Sequence, residues 1–208
     1  DTVVAEVYAV IAKVDTSQAD FVIGRANIQT GAVDSTKITV ISGDNLAGTL
    51  SGNKKWTGRQ QYSAQPAFYA HRSADSTDCT GDGTAVTLTF NTELYDQANN
   101  HAINGVFTAP VAGVYHFEVF MQVLNIGTLH TAMAINLVTT SRNWTIFYIN
   151  PSTVFIGAGG VINICSGLTA LMAANDTAYI TLTVTGSTKT VDIGSGATTT
   201  HFAGHLLY

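Results

Sequence analysis

The sequence predicts an all-β protein with an N-terminal fibrous stem, residues 1–65, and a C-terminal sandwich or jelly-roll head, residues 66–208. Two observations support this prediction. From residue 66 onward, short segments alternate apolar and polar residues with the period of two that is typical of half-buried strands, and turn residues separate them. Only 11% of the residues are charged, while threonine, which suits the solvent face of a strand, is abundant.

The stem has the pattern of a segment that cannot close a core alone. The heptad spacing of a short coiled coil is met by Val3, Val7, Val10 and Val14. The same residues also fit an alternating strand, so both interpretations stay open. After them, apolar residues recur at short intervals among frequent glycines. Because such a segment is stable when three copies bury each other's apolar faces, we expect an intertwined trimeric stem, with a loose linker as the alternative.

The stretch FTAPVAGVYHF, residues 107–117, is predicted to be a corner between two strands. Pro110 has no backbone N–H and cannot lie inside a central ladder. Gly113 permits backbone angles that a side chain forbids. Beyond the corner, Tyr115 and Phe117 begin a row of apolar residues on one face, while His116 and Glu118 fall on the other.

Further strands are predicted at AVTLTF, TAMAINL, NWTIFYI, GGVINIC, AYITLTVTG and HFAGHLLY. In NWTIFYI, strict alternation predicts one apolar face of Trp144, Ile146 and Tyr148. It also predicts an opposite apolar face of Phe147 and Ile149. A strand that is apolar on both faces must be covered on both, and a second subunit is the simplest cover in a two-layer domain. The head is therefore predicted to be oligomeric.

Charge and hydropathy exclude two classes of partner. From residue 66 onward the chain has eight acidic residues but three basic ones, Arg72, Arg142 and Lys189. Affinity for a phosphate backbone comes from clustered Lys and Arg, so we expect no nucleic acid partner. No apolar run reaches the ~18 residues of a membrane span, so no membrane insertion is expected. Because the chain begins with Asp1, we expect a fragment or a processed product.

The residues offer few candidates for catalysis. Cys79 and Cys165 lack the C-x-x-C spacing of a redox or zinc site, and we expect two unpaired thiols, with Cys165 buried. The sequence shows no nucleophile elbow. Paired acids for glycoside chemistry could be sought in Glu93 with Asp96, or in Glu118 alone, but each has a plain surface explanation. We expect no enzymatic activity.

Two histidines and one acidic loop are the candidate metal ligands. His201 and His205 lie on one face of the last strand, ~13 Å apart, so one ion cannot bridge them within a chain. Three copies of one histidine could ring the axis of a trimer, but an ordinary hydrogen-bonded histidine is favoured. The loop DSTDCTGDG offers Asp75, Asp78 and Asp82 without the spacing of an EF-hand, so a solvated acidic loop is expected and no cofactor is predicted.

Three segments of the head, PAFYAHRS, FTAPVAGVYHF and HFAGHLLY, resemble hallmark segments of the C1q and tumour-necrosis-factor-like trimeric jelly rolls, in the family's order. The resemblance implies a compact homotrimer whose last strand lies near the three-fold axis. It would place Phe202 and Leu206, or their alternates, close to that axis, and the face of Tyr115 and Phe117 in the core. It also implies that calcium can bind, since heads of this family often hold it. The chain departs from animal members in having no Gly-X-Y repeats.

The stem resembles a second group of proteins. VIGRANIQTGAVDSTKI resembles the IGxAxI ladder of tail-tip host-specificity proteins of tailed bacteriophages, and GTLSGNKKWTGRQQYS resembles Trp-Thr-Gly segments of phage fibres. With the head, these segments imply the receptor-binding tip of a phage tail fibre. Such a virion protein would join other tail proteins and recognise a bacterial surface saccharide or outer-membrane protein. Loops around 74–84, 125–130 and 186–199 are expected to be exposed, and no receptor-contacting residue is assigned.

Two alternatives stay open. One is a secreted C1q-like recognition protein of a cellular organism, and the other is a structural trimerisation cap that only locks the register of the stem. Asn143-Trp-Thr and Asn175-Asp-Thr match the acceptor pattern for N-glycosylation. Both would be unmodified in a phage protein, whereas sugar at Asn175 would favour the secreted protein.

Overall fold

The computed structural model describes residues 65–208. The predicted stem and its short coiled coil lie outside these residues. The described strands, in chain order, are β1 Ala67–His71, β2 Ser76–Thr80, β3 Ala85–Thr87, β4 Thr92–Gln97, β5 Phe107–Thr108, β6 Gly113–Ile126, β7 Ala132–Thr139, β8 Asn143–Ile149, β9 Gly160–Met172, β10 Thr177–Thr185, β11 Val191–Ile193 and β12 His201–Leu206. One turn of 3₁₀-helix, Pro151–Thr153, follows β8.

These strands form two antiparallel sheets, and the predicted all-β jelly roll is confirmed. In the first sheet β4, β1, β12, β6 and β9 lie side by side, and β11 with β2 continues along the far part of β6. In the second sheet the order is β3, β10, β7 and β8, with β5 also paired to β10. Strands far apart in the sequence are neighbours, as β1 and β12 show, so the first and last strands of the head hold each other in place.

The core lies between the two sheets and is rich in aromatic rings. Tyr115 and Phe117 on β6 and Phe202 on β12 are at most 1% exposed, and the rings of Phe117 and Phe202 stack with centroids 5.7 Å apart. Leu182 on β10 closes the core from the second sheet. Period-two alternation therefore gives each sheet one buried face and leaves the other face outside the subunit.

Gly113 at the corner before β6 is needed for a different reason from the one that the sequence suggested. Its φ lies outside the left-handed region, so no unusual backbone angle is required. A Cβ at this position would instead lie 2.5 Å from Cδ1 of Leu206 and 2.7 Å from the carbonyl oxygen of Tyr208. The glycine therefore allows the C-terminal strand to approach the start of β6 closely.

The prediction that β8 is apolar on both faces is wrong, because a bulge interrupts its alternation. The register with β7 shifts between Ile135 and Asn136, so Ile146 has no partner across the ladder. Trp144, Ile146, Phe147 and Ile149 all pack against the core as a result, and Tyr148 is left 66% exposed. The free carbonyl of Ile146 accepts a hydrogen bond of 2.7 Å from Oγ of Ser166 on β9, which joins the edges of the two sheets.

Candidate recognition and assembly surface

The outer face of the first sheet carries a cluster of rings that the strand register brings together. We call it the histidine-rich face; it comprises Tyr69, His71, His116, Glu118, Phe120, His201 and His205. Strand β12 lies in its middle, with His201 paired to His71 on one side and to Phe120 on the other. Four residues further along β12, His205 pairs with His116. Because alternate residues of a strand face opposite ways, these side chains lie outside the core that Phe202 joins.

His201 is the most enclosed residue of this face. Its ring is stacked between Tyr69, with centroids 4.6 Å apart, and Phe120, with centroids 5.6 Å apart. Nε2 of His201 lies 3.9 Å from a carboxylate oxygen of Glu118. The hydroxyl of Tyr69 donates a hydrogen bond of 2.6 Å to the carbonyl of Ala197, which anchors the stack to the loop before β12.

The environment of His201 favours the neutral imidazole. Burial lowers its pKa from the ordinary 6.5, and His71 acts in the same direction. The carbonyl of Ala197 and the carboxylate of Glu118 raise its pKa and partly oppose burial. Burial also raises the pKa of Tyr69, and the charge of Glu118 adds to that effect. At neutral pH the stack of Tyr69, His201 and Phe120 is therefore uncharged, and the carboxylate of Glu118 lies beside it.

The edges of the same sheet expose large apolar side chains. Leu94 and Tyr95 on β4 are 60% and 54% exposed, and Leu171 on β9 is 77% exposed. The ring of Tyr95 lies 6.2 Å from that of Tyr69, so the apolar surface continues from the edge onto the histidine-rich face. Apolar patches of this kind mark protein interaction sites.

The residues named from the sequence for the trimer axis or the core lie in different places. Tyr115, Phe117 and Phe202 are buried inside one subunit. Leu206 is partly buried against the core at the end of β12, and Tyr148 is exposed on the edge strand of the second sheet. The structure therefore does not bring the five together into one surface.

The sequence did contain a signal for the histidine-rich face. In PAFYAHRS and GVYHFEVF, every second residue is a core residue, and the residues between them form the outer face. Tyr69, His71 and Phe120 were not identified from the sequence as surface residues of interest, because the alternation was used only to assign the core residues next to them. The unusual property is that most of the outward-facing residues between the core residues also carry rings. A face exposed to solvent would usually carry threonine or charged side chains at these positions.

The candidate metal ligands do not converge within residues 65–208, which hold no cluster of three His, Cys, Asp or Glu side chains able to bind an ion. Asp82 accepts a hydrogen bond of 2.9 Å from the backbone of Thr84, and hydrogen bonds to Thr84 lower its pKa. One oxygen of Asp192 accepts from the backbone of Asp78 and the other from the side chain of Asn125. The carboxylates of Asp82 and Asp192 thus accept hydrogen bonds from the protein itself.

The acids considered for catalysis also have structural partners. Glu93 lies 3.2 Å from Nδ1 of the buried His101, whose pKa is lowered by burial and partly restored by Glu93. Asp96 accepts hydrogen bonds from the backbone N–H groups of Asn100 and His101. Both acids thus fix the turn after β4.

Both cysteines are unpaired, as predicted, but the expectation that Cys165 is buried is wrong. Cys165 is exposed on β9 beside Phe120, since the alternation of β9 turns Ile164 and Ser166 inward instead. Cys79 is buried, and burial raises the pKa of its thiol. Thiolate chemistry at Cys79 is therefore disfavoured.

The three predicted loops meet at one end of the sandwich. The backbone N–H of Ser187 donates to the carbonyl of Gly81 at 2.9 Å, and the α-carbon of Gly81 lies close to the side chain of His130. Their tips are exposed, as at Leu129 and Lys189, whereas Gly81 and His130 are buried. The opposite end holds Pro66, whose carbonyl accepts from the backbone of Leu206.

A two-sheet jelly roll with an aromatic outer face and clustered loops defines a β-sandwich binding module. The chain belongs to the C1q domain family, whose sequence profile matches residues 67–207. Domains of this family are recognition and trimerisation modules. Among the described residues, no helix has the length and apolar character needed to cross a membrane.

Solved structures with a similar fold include the globular domain of zebrafish complement 1qA, at 24% identity and a TM-score of 0.49, over 69% of this chain and 98% of that one. Murine APRIL at pH 8.5 is similar at 11% identity and a TM-score of 0.45, over 69% of this chain and 99% of that one. No curated protein sequence matches this chain significantly.

Proposed function

We propose that this protein is the receptor-binding tip of a phage tail fibre and acts as a homotrimer in the virion. The observation that carries the proposal is the joining of a C1q head, a recognition and trimerisation module, to stem segments that resemble phage tail-tip and fibre sequences. The receptor is a bacterial surface saccharide or an outer-membrane protein. Other tail proteins hold the stem end.

The surface of the head supports a closed trimer. A three-fold ring needs a heterologous interface, in which one patch of each copy meets a different patch of the next. The histidine-rich face supplies the first patch. Tyr148 and Val161, exposed on the neighbouring edge strands β8 and β9, supply the second. Burying both patches removes apolar surface from water, which is the main driving force for association.

Receptor contact is assigned to the clustered loops at the end opposite Pro66. Exposed tips such as Leu129 and Lys189 point away from the end where the chain enters the head. Loops on a rigid scaffold are common binding elements. Three weak sites around one axis gain avidity on a repetitive bacterial surface.

Binding to bacteria tests this function directly. Labelled full-length trimers are expected to bind a subset of a panel of bacterial strains, and unlabelled trimers should compete. The control replaces the head with an unrelated trimerisation domain behind the same stem. If that control binds the same strains equally well, the head is only a cap and the recognition proposal fails.

A second observation separates the phage protein from a secreted one. Asn175 lies in the exposed turn before β10, where a glycan would fit without disturbing the core. Mass spectrometry of the protein from its natural source is expected to show unmodified Asn143 and Asn175. A glycan at Asn175 would overturn the phage assignment in favour of a secreted recognition protein.

A further inference from the structure

A cleft of about 340 Å³ lies between the turn that joins β7 to β8 and the last part of β9. Its volume is at the lower end of the range of small-molecule sites, ~300–1,000 Å³. It is lined by Thr139, Ser141, Arg142, Trp144, Thr169 and Leu171. Hydroxyl groups, an indole ring and a guanidinium thus face one space.

Arg142 and Lys189 are the two exposed basic residues of the head, and Arg142 is the one that lines the cleft. Within residues 65–208 no carboxylate lies at ion-pair distance from Arg142. Arg72, by contrast, is buried and donates to Thr89 and Ser76. An acidic domain that leaves one exposed guanidinium without an internal carboxylate offers a fork-shaped donor to an external anion.

The position of Arg142 is fixed by its surroundings. Its backbone exchanges hydrogen bonds with Thr139, at 2.7 Å in one direction and 3.3 Å in the other. The guanidinium lies over the ring of Trp144, 5.3 Å from the ring centre. Such a tight turn limits the conformational entropy that a ligand would have to remove on binding.

Trp144 provides an apolar surface. Its ring is only partly buried against the core, so part of it faces the cleft. Its Nε1 is buried and has no hydrogen-bond acceptor among the described residues, so this donor is not offered to the cleft. Ser141 and Thr169, both exposed, add hydroxyl groups at the rim.

We propose that this cleft binds an anionic saccharide, in the form of a sugar ring that bears a carboxylate. Arg142 pairs with the carboxylate, the exposed edge of the Trp144 ring packs against the apolar side of the sugar, and Ser141 and Thr169 bond to its hydroxyls. Uronic acids of bacterial surface polysaccharides have this chemistry.

The cleft lies at the end of the head that holds Pro66, because Thr169 pairs with His116 and the same part of β6 pairs with the end of β12. It is therefore a second contact, separate from the clustered loops. The bacterial source of the sugar rests on the proposed function, whereas the binding chemistry does not.

Tryptophan fluorescence of the full chain tests the site. The chain has two tryptophans, so Trp56→Phe leaves Trp144 as the only reporter. Methyl β-D-glucuronide is expected to change the emission saturably. Methyl β-D-glucoside and sodium acetate, at equal concentrations, are expected to bind at least about tenfold more weakly. No saturable change, or an equal response to the glucoside or to acetate, would overturn the proposal.

A matched pair of charge variants locates the binding. Arg142→Gln is expected to weaken glucuronide binding about tenfold, since a charge-assisted bidentate pair is lost. Lys13→Gln removes the same charge from the stem, outside the head, and should leave binding unchanged. Equal behaviour of the two variants would mean that only net charge matters and that the cleft is not the site.

Adsorption to cells separates this proposal from the proposed function. On strains with a uronic-acid capsule, Arg142→Gln should adsorb less than Lys13→Gln. If the wild-type chain adsorbs and Arg142→Gln adsorbs equally, the cleft proposal fails while the receptor-binding function stands. If the wild-type chain binds glucuronide but adsorbs to no bacteria, the cleft stands and the proposed function fails.

Discussion

The two outer faces of the sandwich have the same backbone geometry but opposite chemistry. On the second sheet, β10 presents Thr181 and Thr183 beside Asn136 and Ala134 of β7. On the first sheet, the equivalent positions carry the rings of the histidine-rich face. Small hydroxyl-bearing side chains suit contact with water, whereas stacked rings in the middle of a sheet gain from being covered. In the proposed trimer, the face of stacked rings is therefore the one that meets another copy.

The largest expected effect comes from placing a charge in the centre of the histidine-rich face. Phe120→Glu puts a carboxylate beside Glu118, in each of three interfaces, where it cannot be solvated. The trimer is expected to dissociate to monomers in light scattering at micromolar concentration. Thr183→Glu, its control on the second sheet, should stay trimeric. A trimer that survives Phe120→Glu would show that assembly uses another surface.

Truncation of a core residue is expected to destabilise the protein similarly on the inner faces of both sheets, in contrast to the different behaviour of the two outer faces. Phe202→Ala on the first sheet and Leu182→Ala on the second each open a cavity at a fully buried position. We expect losses of about 3–5 and 2–5 kcal/mol in the free energy of unfolding. Urea denaturation at one fixed chain concentration measures both, because the stability of an oligomer depends on concentration. A loss below about 1 kcal/mol at either residue would mean that its sheet is loosely packed.

Acid is expected to lower the stability of the folded protein through His201 on the histidine-rich face of the first sheet, and not through the outer face of the second sheet. His201 faces Tyr69 and His71 of β1, Glu118 and Phe120 of β6, and the carbonyl of Ala197. Its pKa in the folded state is lowered below 6.5, chiefly by burial, so the unfolded chain takes up the proton first. The stability it contributes is therefore complete above pH 6.5 and is lost as the pH falls below that value.

The melting temperature measures this effect. Wild-type protein should lose more of its thermal stability between pH 7.5 and pH 5.0 than His201→Gln. The buried His101 has a pKa lowered in the same direction and adds a common background to both proteins. His205→Gln is the control, because His205 is exposed. If His201→Gln and wild type fell in parallel, titration of His201 would not contribute.

The sequence predicted the fold well and the surface poorly, for a physical reason. Core residues such as Tyr115 and Phe202 follow an alternation that burial enforces within one chain, so periodicity alone identifies strands and their inner faces. The bulge at Ile146 reversed the face of Tyr148, and single-sequence alternation has no means of showing a bulge. The cleft beside Trp144 was equally hidden, since it forms only when the β7–β8 turn meets the end of β9.

The smallest expected effect comes from substitutions on the outer face of the second sheet. Their outcome tests whether the comparison of the two faces identifies the assembly surface. Thr181→Lys and Thr183→Lys together place two solvated cations on neighbouring outward positions of β10, where long side chains can extend into water. Surface substitutions of this kind usually change stability by less than about 0.5 kcal/mol each. The double variant is therefore expected to keep the wild-type trimer mass and nearly the same melting temperature. Loss of the trimer would mean that the threonine face also lies against a partner, and the chemical contrast between the two faces would no longer identify the assembly surface.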